Sequence, residues 1–136
     1  MRPRSLPQAA PMKAIAILRI LISLPLLGIG FLHLTGVEPM APILEGAKLP
    51  LPELTAILAP IAEVVGGLLL FANFRPRIGA LFALGTMAGA LAAHLRFDWA
   101  DEPPILLPIA VFVGALVILA RGGGCLRGCA IPKNDP

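Results

Sequence analysis

The chain contains no tyrosine, a single tryptophan and only two cysteines among its 136 residues. With so few of these rings, any aromatic belt at a membrane–water boundary is thin. Cys125 and Cys129 stand at i, i+4, which is neither a C-x-x-C redox pair nor a zinc knuckle. Haem-attachment, iron–sulfur and dinucleotide-binding patterns are missing, so the chain carries no complete catalytic or redox-cofactor motif. Gly122-Gly123-Gly124 lacks the Lys-Ser/Thr and the preceding strand of a phosphate loop, and reads as a flexible exit from the last apolar run. Charge is scarce as well: 14% of residues are charged, against about 25% in a soluble domain.

What fills the space is apolar. Hydrophobic residues make up 57% of the chain and mean hydropathy is +0.88. Four runs of near-membrane length follow one another, about Ala14–Leu34, Leu54–Phe74, Ile78–Leu95 and Ile105–Ala120. A soluble core helix is rarely apolar on all sides, and four in a row describe a membrane protein. The predicted fold is all-α, a four-span transmembrane helical bundle. Residues 1–12 read as a poorly ordered N-terminal arm, 13–120 as the membrane domain and 121–136 as a cytoplasmic tail. Arg2, Arg4 and Lys13 ahead of an apolar stretch imitate a signal peptide. Arg19 interrupts that stretch and no A-x-A site follows, so it is predicted to stay as an uncleaved first span. Within the loop 35–53, Pro39 through Gly46 has the ends of a short helix, with Gly46 as its C-cap. The link Arg75-Pro76-Arg77 is so short that the second and third spans must be antiparallel neighbours.

The net charge of +3 and pI near 9.4 do not point to nucleic acid, because the basic residues sit at span ends rather than along one face. Placing the N-terminus inside puts Arg2, Arg4, Lys13, Arg75, Arg77, Arg121, Arg127 and Lys133 inside, with Lys48 and Arg96 outside. The acidic Glu38, Glu45, Glu53, Asp98, Asp101 and Glu102 all fall outside. This asymmetry predicts that both termini lie inside. Small residues at Gly85, Gly89 and Ala93 form a ridge expected to pack within the bundle, as do Ala62 and Gly66. The fourth span has no polar side chain and is expected to face lipid most.

Glu63 stands out, because an ionisable residue at bilayer depth is costly unless it faces protein or water. By helical rise it lies roughly 13–14 Å from the outer end of its span, near the midplane. Ser23 and Thr86 come out at similar depth, which predicts one polar layer shared by three spans. Glu63 is read either as a proton-exchanging or headgroup-binding residue, or as a paired residue that pins helix register. Arg19 either snorkels to the inner surface or reaches toward Glu63. His33 and His94 fall near the outer ends of their spans. They either bond headgroups and loop carbonyls, or join Arg96, Asp98 and Glu102 in a mouth that relays protons down to Glu63 or holds a polar ligand head. No diagnostic metal spacing occurs. The two cysteines are read as free thiols on a reducing side.

The segment Glu63-Val64-Val65-Gly66-Gly67-Leu68-Leu69-Leu70, then Arg75-x-Arg77-Ile78-Gly79-Ala80, resembles the pattern of the DoxX-like membrane proteins. Gly46-Ala47-Lys48-Leu49-Pro50 with Leu51-Pro52, and Met87-x4-Ala92-x-His94, resemble it too. The resemblance covers roughly residues 13–120. It implies a four-helix bundle in a bacterial inner membrane, associated with quinone-linked redox systems and soluble redox-enzyme partners. Glu63 is the position it carries over as a functional candidate; the cysteines lie outside it. The expected function is a quinone- or lipid-interacting accessory subunit of a membrane redox system, with homo-oligomers allowed and nucleic acid excluded. The alternatives are a non-enzymatic binding or transport module for a small hydrophobic ligand, and a structural membrane anchor.

Overall fold

The computed structural model describes residues 9–96 and 105–122. Asp98, Asp101, Glu102, Cys125 and Cys129, and with them the expectations for the acidic loop and the tail, lie outside the described residues. The described residues form five helices: α1 Ala9–Leu34, α2 Ala41–Gly46, α3 Pro52–Phe71, α4 Pro76–Arg96 and α5 Leu106–Arg121. No strand occurs among the described residues. Three of the helices are long and apolar enough to cross a membrane, and α5, at 16 residues, is shorter. α1 begins at Ala9, inside the stretch expected to be an arm.

The long helices form a closed ring in which α1 lies beside α3, α3 beside α4, α4 beside α5, and α5 returns to α1. Ile22, Leu26, Leu70, Met87, Val111 and Ile118 meet in its centre. α5 is a full member of this core, with Ala115 and Ile118 wholly buried. Its other side agrees with the expectation that it faces lipid, since Leu106, Leu107, Ile109, Val113 and Leu116 are exposed. Apolarity alone does not separate the lipid-facing side from the core side, and the small Gly114 marks the core side by letting α5 approach α1. A Cβ on Gly114 would lie 2.9 Å from Ile22.

The close approaches that set the bundle are at Gly66 and Gly79. A Cβ on Gly66 would lie 2.8 Å from the Phe82 Cβ, and one on Gly79 would lie 2.9 Å from the Gly66 carbonyl oxygen. Of the expected ridge of Gly85, Gly89 and Ala93, Ala93 is buried, but nothing lies within 4 Å of a Cβ at Gly85 or Gly89. α3 and α4 therefore touch near their short connection and leave open space farther along α4.

Helix ends follow local rules. α1 ends with Gly36 at φ +74°, its N–H donating to His33 and the Val37 N–H reaching back to Leu32. α3 ends the same way with Asn73 at φ +55°, and the Phe74 N–H donates to Leu69. In α2 the left-handed position falls on Lys48, not on the expected Gly46, which is still helical.

The register of α1 on α3 is antiparallel. Gly67 faces Leu27, Gly30 faces Glu63 and the Pro60 carbonyl, and Arg19 reaches the end of α3. By this register α1 ends level with about Ala59, so the first turns of α3 rise about 10 Å beyond it. The segment 35–51 folds over that step, with α2 against α3.

Candidate functional site

Where α3 overtops α1 and parts from α4, a cavity of about 1150 Å³ opens. α1, α3, α4, α5 and the segment around α2 all contribute to its walls. The lining is apolar except at a few points. Leu54 and Leu58 of α3 and Leu81 and Phe82 of α4 line it while standing exposed on the bundle perimeter. Gly85 and Gly89 leave its α4 wall low.

Glu63 lies at the α1 side of this space and is only 4% exposed. Its Oε2 is 3.5 Å from His33 Nδ1. Both atoms are buried, and neither has a hydrogen-bond partner among the described residues. Unsatisfied buried polar atoms are costly, so a facing pair on a cavity wall is suited to a donor or acceptor from a third molecule. On its far side, His33 Nε2 lies 3.9 Å from Glu38 Oε2, and the Glu38 side chain is exposed.

The other expected site residues separate into two groups. Thr86 and His94 line the cavity from α4. Thr86 donates its hydroxyl to the carbonyls of Phe82 and Ala83, each at 3.2 Å. His94 Nδ1 is 2.8 Å from the Ala90 carbonyl, one turn back. Ser23 and Arg96 do not line the cavity. Ser23 is wholly buried and donates to the Ile20 carbonyl of its own helix at 2.8 Å. Arg96 is exposed at the last position of α4.

The layer expected from Ser23, Glu63 and Thr86 thus has His33 where Ser23 was expected. Depth counting from the edges of apolar runs assumes that the spans start level. α1 is displaced along α3, which brings Ser23 down to the level of Leu70 and His33 toward Glu63. Arg19 takes neither expected course. It is buried and donates from its guanidinium to the carbonyls of Leu70 and of Phe71, the latter at 3.1 Å. These are last-turn carbonyls of α3, where a cation also meets the negative end of the helix dipole.

Glu38 was read from the sequence only as an orientation charge. The signal that could have singled it out is Gly36: the turn there folds the chain back on α1, and the Glu38 N–H reaches the Leu32 carbonyl at 3.5 Å. Among the described residues no three His, Cys, Asp or Glu side chains gather as a metal site requires.

Apolar helices of membrane length around a cavity with a buried polar pair define a multi-pass membrane protein. The family model of DoxX matches residues 14–96, more than half of the chain. The protein belongs to the DoxX family. The match ends with α4, so α5 lies outside it. No curated protein and no solved structure matches the chain.

Proposed function

We infer that the protein binds an amphipathic molecule with an uncharged hydroxyl or carbonyl headgroup, of quinone or neutral-lipid type, as an accessory subunit of a redox system in the cell inner membrane. The observation that carries this reading is the facing pair of Glu63 Oε2 and His33 Nδ1, both buried and without hydrogen-bond partners among the described residues, on the wall of an apolar cavity of about 1150 Å³. Drug-sized ligands occupy about 300–1,000 Å³, so the space also suits a molecule with a chain. Two features narrow the class. Among the described residues, two carboxyls, two imidazoles and no Lys or Arg line the cavity, which disfavours a phosphate or carboxylate head. The exposed rims at Leu54, Leu58, Leu81 and Phe82 offer access from the bilayer.

Segregation of charge supports the orientation of the bundle. Lys13, Arg75, Arg77 and Arg121 occupy one end, and Glu38, Glu45 and Glu53 lie toward the cavity end. On that basis both termini are inside and the cavity lies toward the outer side.

The test is mass spectrometry of small molecules that co-purify with the detergent-solubilised protein, wild type beside Glu63→Gln. The expected outcome is a quinone or neutral lipid retained by the wild type and depleted in the variant. Equal content in both, or none in either, would make Glu63 a register-setting residue and turn the search toward protein partners. A retained ligand that undergoes no redox cycling in membranes would favour a binding or transport module.

A further inference from the structure

We propose that Glu38, His33 and Glu63 form a proton path between the cavity floor and the water at the cavity mouth. The proposal deepens the ligand-binding reading and rests on it for its purpose, since a protic headgroup beside Glu63 needs somewhere to send or obtain its proton.

Each stage has a geometric basis. Glu63 is enclosed, and its Oε2 has no hydrogen-bond partner among the described residues. Its nearest titratable neighbour is His33, at 3.5 Å through Nδ1. The opposite ring nitrogen of His33 faces Glu38 at 3.9 Å. The three groups therefore run from a buried carboxyl, through an 11% exposed imidazole, to a carboxylate that is 61% exposed. An imidazole can accept at one nitrogen while it donates at the other, which carries a proton across the width of the ring. Among the described residues, His94 on α4 is the other titratable group of the cavity, and its Nδ1 is engaged with the Ala90 carbonyl. α2 and α5 add no titratable group to the lining. Arg19, on α1, is turned to the far end of α3.

The outward transfer balances. The Glu63 O–H bond breaks as an N–H bond forms at His33 Nδ1. The His33 Nε2–H bond breaks as an O–H bond forms on a solvent water in the 3.9 Å gap to Glu38, and that water passes one of its own protons to Glu38, which releases it to bulk water. One proton leaves Glu63, and the imidazole ends neutral in its other tautomer. The inward transfer runs through the same atoms in reverse and resets the ring. No electron moves, so the path serves a ligand that changes its proton count whatever partner changes its redox state.

Infrared spectroscopy of the full chain in lipid nanodiscs tests this without any ligand being identified. The protonated carboxyl band that disappears in Glu63→Gln is followed after a switch from H2O to D2O. Exchange is expected to slow by about ten-fold or more in His33→Gln, and by roughly three-fold in Glu38→Gln, where water can partly substitute. Glu38 is on the surface, so its variant remains informative if His33→Gln does not fold. Exchange at the wild-type rate in either folded variant overturns the path. So does the lack of any Glu63-dependent carboxyl band at every pH where the protein stays folded. Loss of ligand in the mass-spectrometric comparison with unaltered exchange would leave the binding reading standing and remove the path alone.

Discussion

At the scale of the residue, two ionisable groups in the bundle interior are handled differently. Glu63 is left facing a cavity with one imidazole beside it, whereas Arg19 is consumed by structure. Its guanidinium donates to last-turn carbonyls of α3, groups that have no partner within the helix itself. The same turn uses Asn73 in the left-handed conformation, so both the backbone and a neighbouring helix close it. Replacing Arg19 with leucine removes hydrogen bonds from a charged donor and leaves carbonyls in an apolar setting. The expected loss is about 1.5–3 kcal/mol, read as a lower midpoint in detergent unfolding, with ligand content preserved. A variant as stable as the wild type would mean that the α3 end is secured by the backbone turn alone. Glu63→Gln is expected to do the reverse, sparing stability while emptying the cavity.

Among the helices, glycine marks both where they touch and where they do not. Gly66 and Gly79 allow α3 and α4 to meet backbone to backbone beside their short connection. Gly85 and Gly89, on the same helix and of the same residue type, face open space and form part of the cavity wall. One substitution chemistry therefore has two outcomes. Gly66→Ala forces a Cβ to 2.8 Å from Phe82 and is expected to cost about 1–3 kcal/mol through overpacking. Gly85→Ala meets nothing within 4 Å and is expected to raise stability by about 0.5–1 kcal/mol through helix propensity. Unfolding midpoints of the two variants, measured side by side, decide the point. Similar effects of one sign would mean that the ridge packs as one unit.

For the whole molecule, the displacement of α1 along α3 creates the step over which the segment 35–51 folds, and that step gives the cavity its depth. Where this end points is a property of the molecule in its membrane. With Cys125 and Cys129 replaced by serine, a membrane-impermeant maleimide added to intact cells is expected to label Glu45→Cys and to spare Phe74→Cys. The opposite pattern would invert the proposed orientation and send the proton path to the cytoplasmic side.

Membrane class, helix number and the antiparallel pairing around Arg75-Pro76-Arg77 could all be read from the amino-acid order. Each depends on local hydropathy, on residues such as Pro76 and Gly36, or on the length of a link. Glu63 was legible for the same reason, since a carboxyl within an apolar run is conspicuous wherever the helix packs. His33 was legible only as one member of an outer cluster relaying protons to Glu63, and not as its direct neighbour. Whether Ser23 or His33 stands beside Glu63 depends on the axial offset between two helices, and that offset is set by Gly30 and Gly67 accepting the bulk of α3 and α1 across the interface. The fate of Arg19, the open face at Gly85 and Gly89, and the place of Glu38 behind His33 are likewise contacts between segments distant in sequence. Hydropathy along a chain carries depth and periodicity, but only packed side chains decide which residues at a given depth meet.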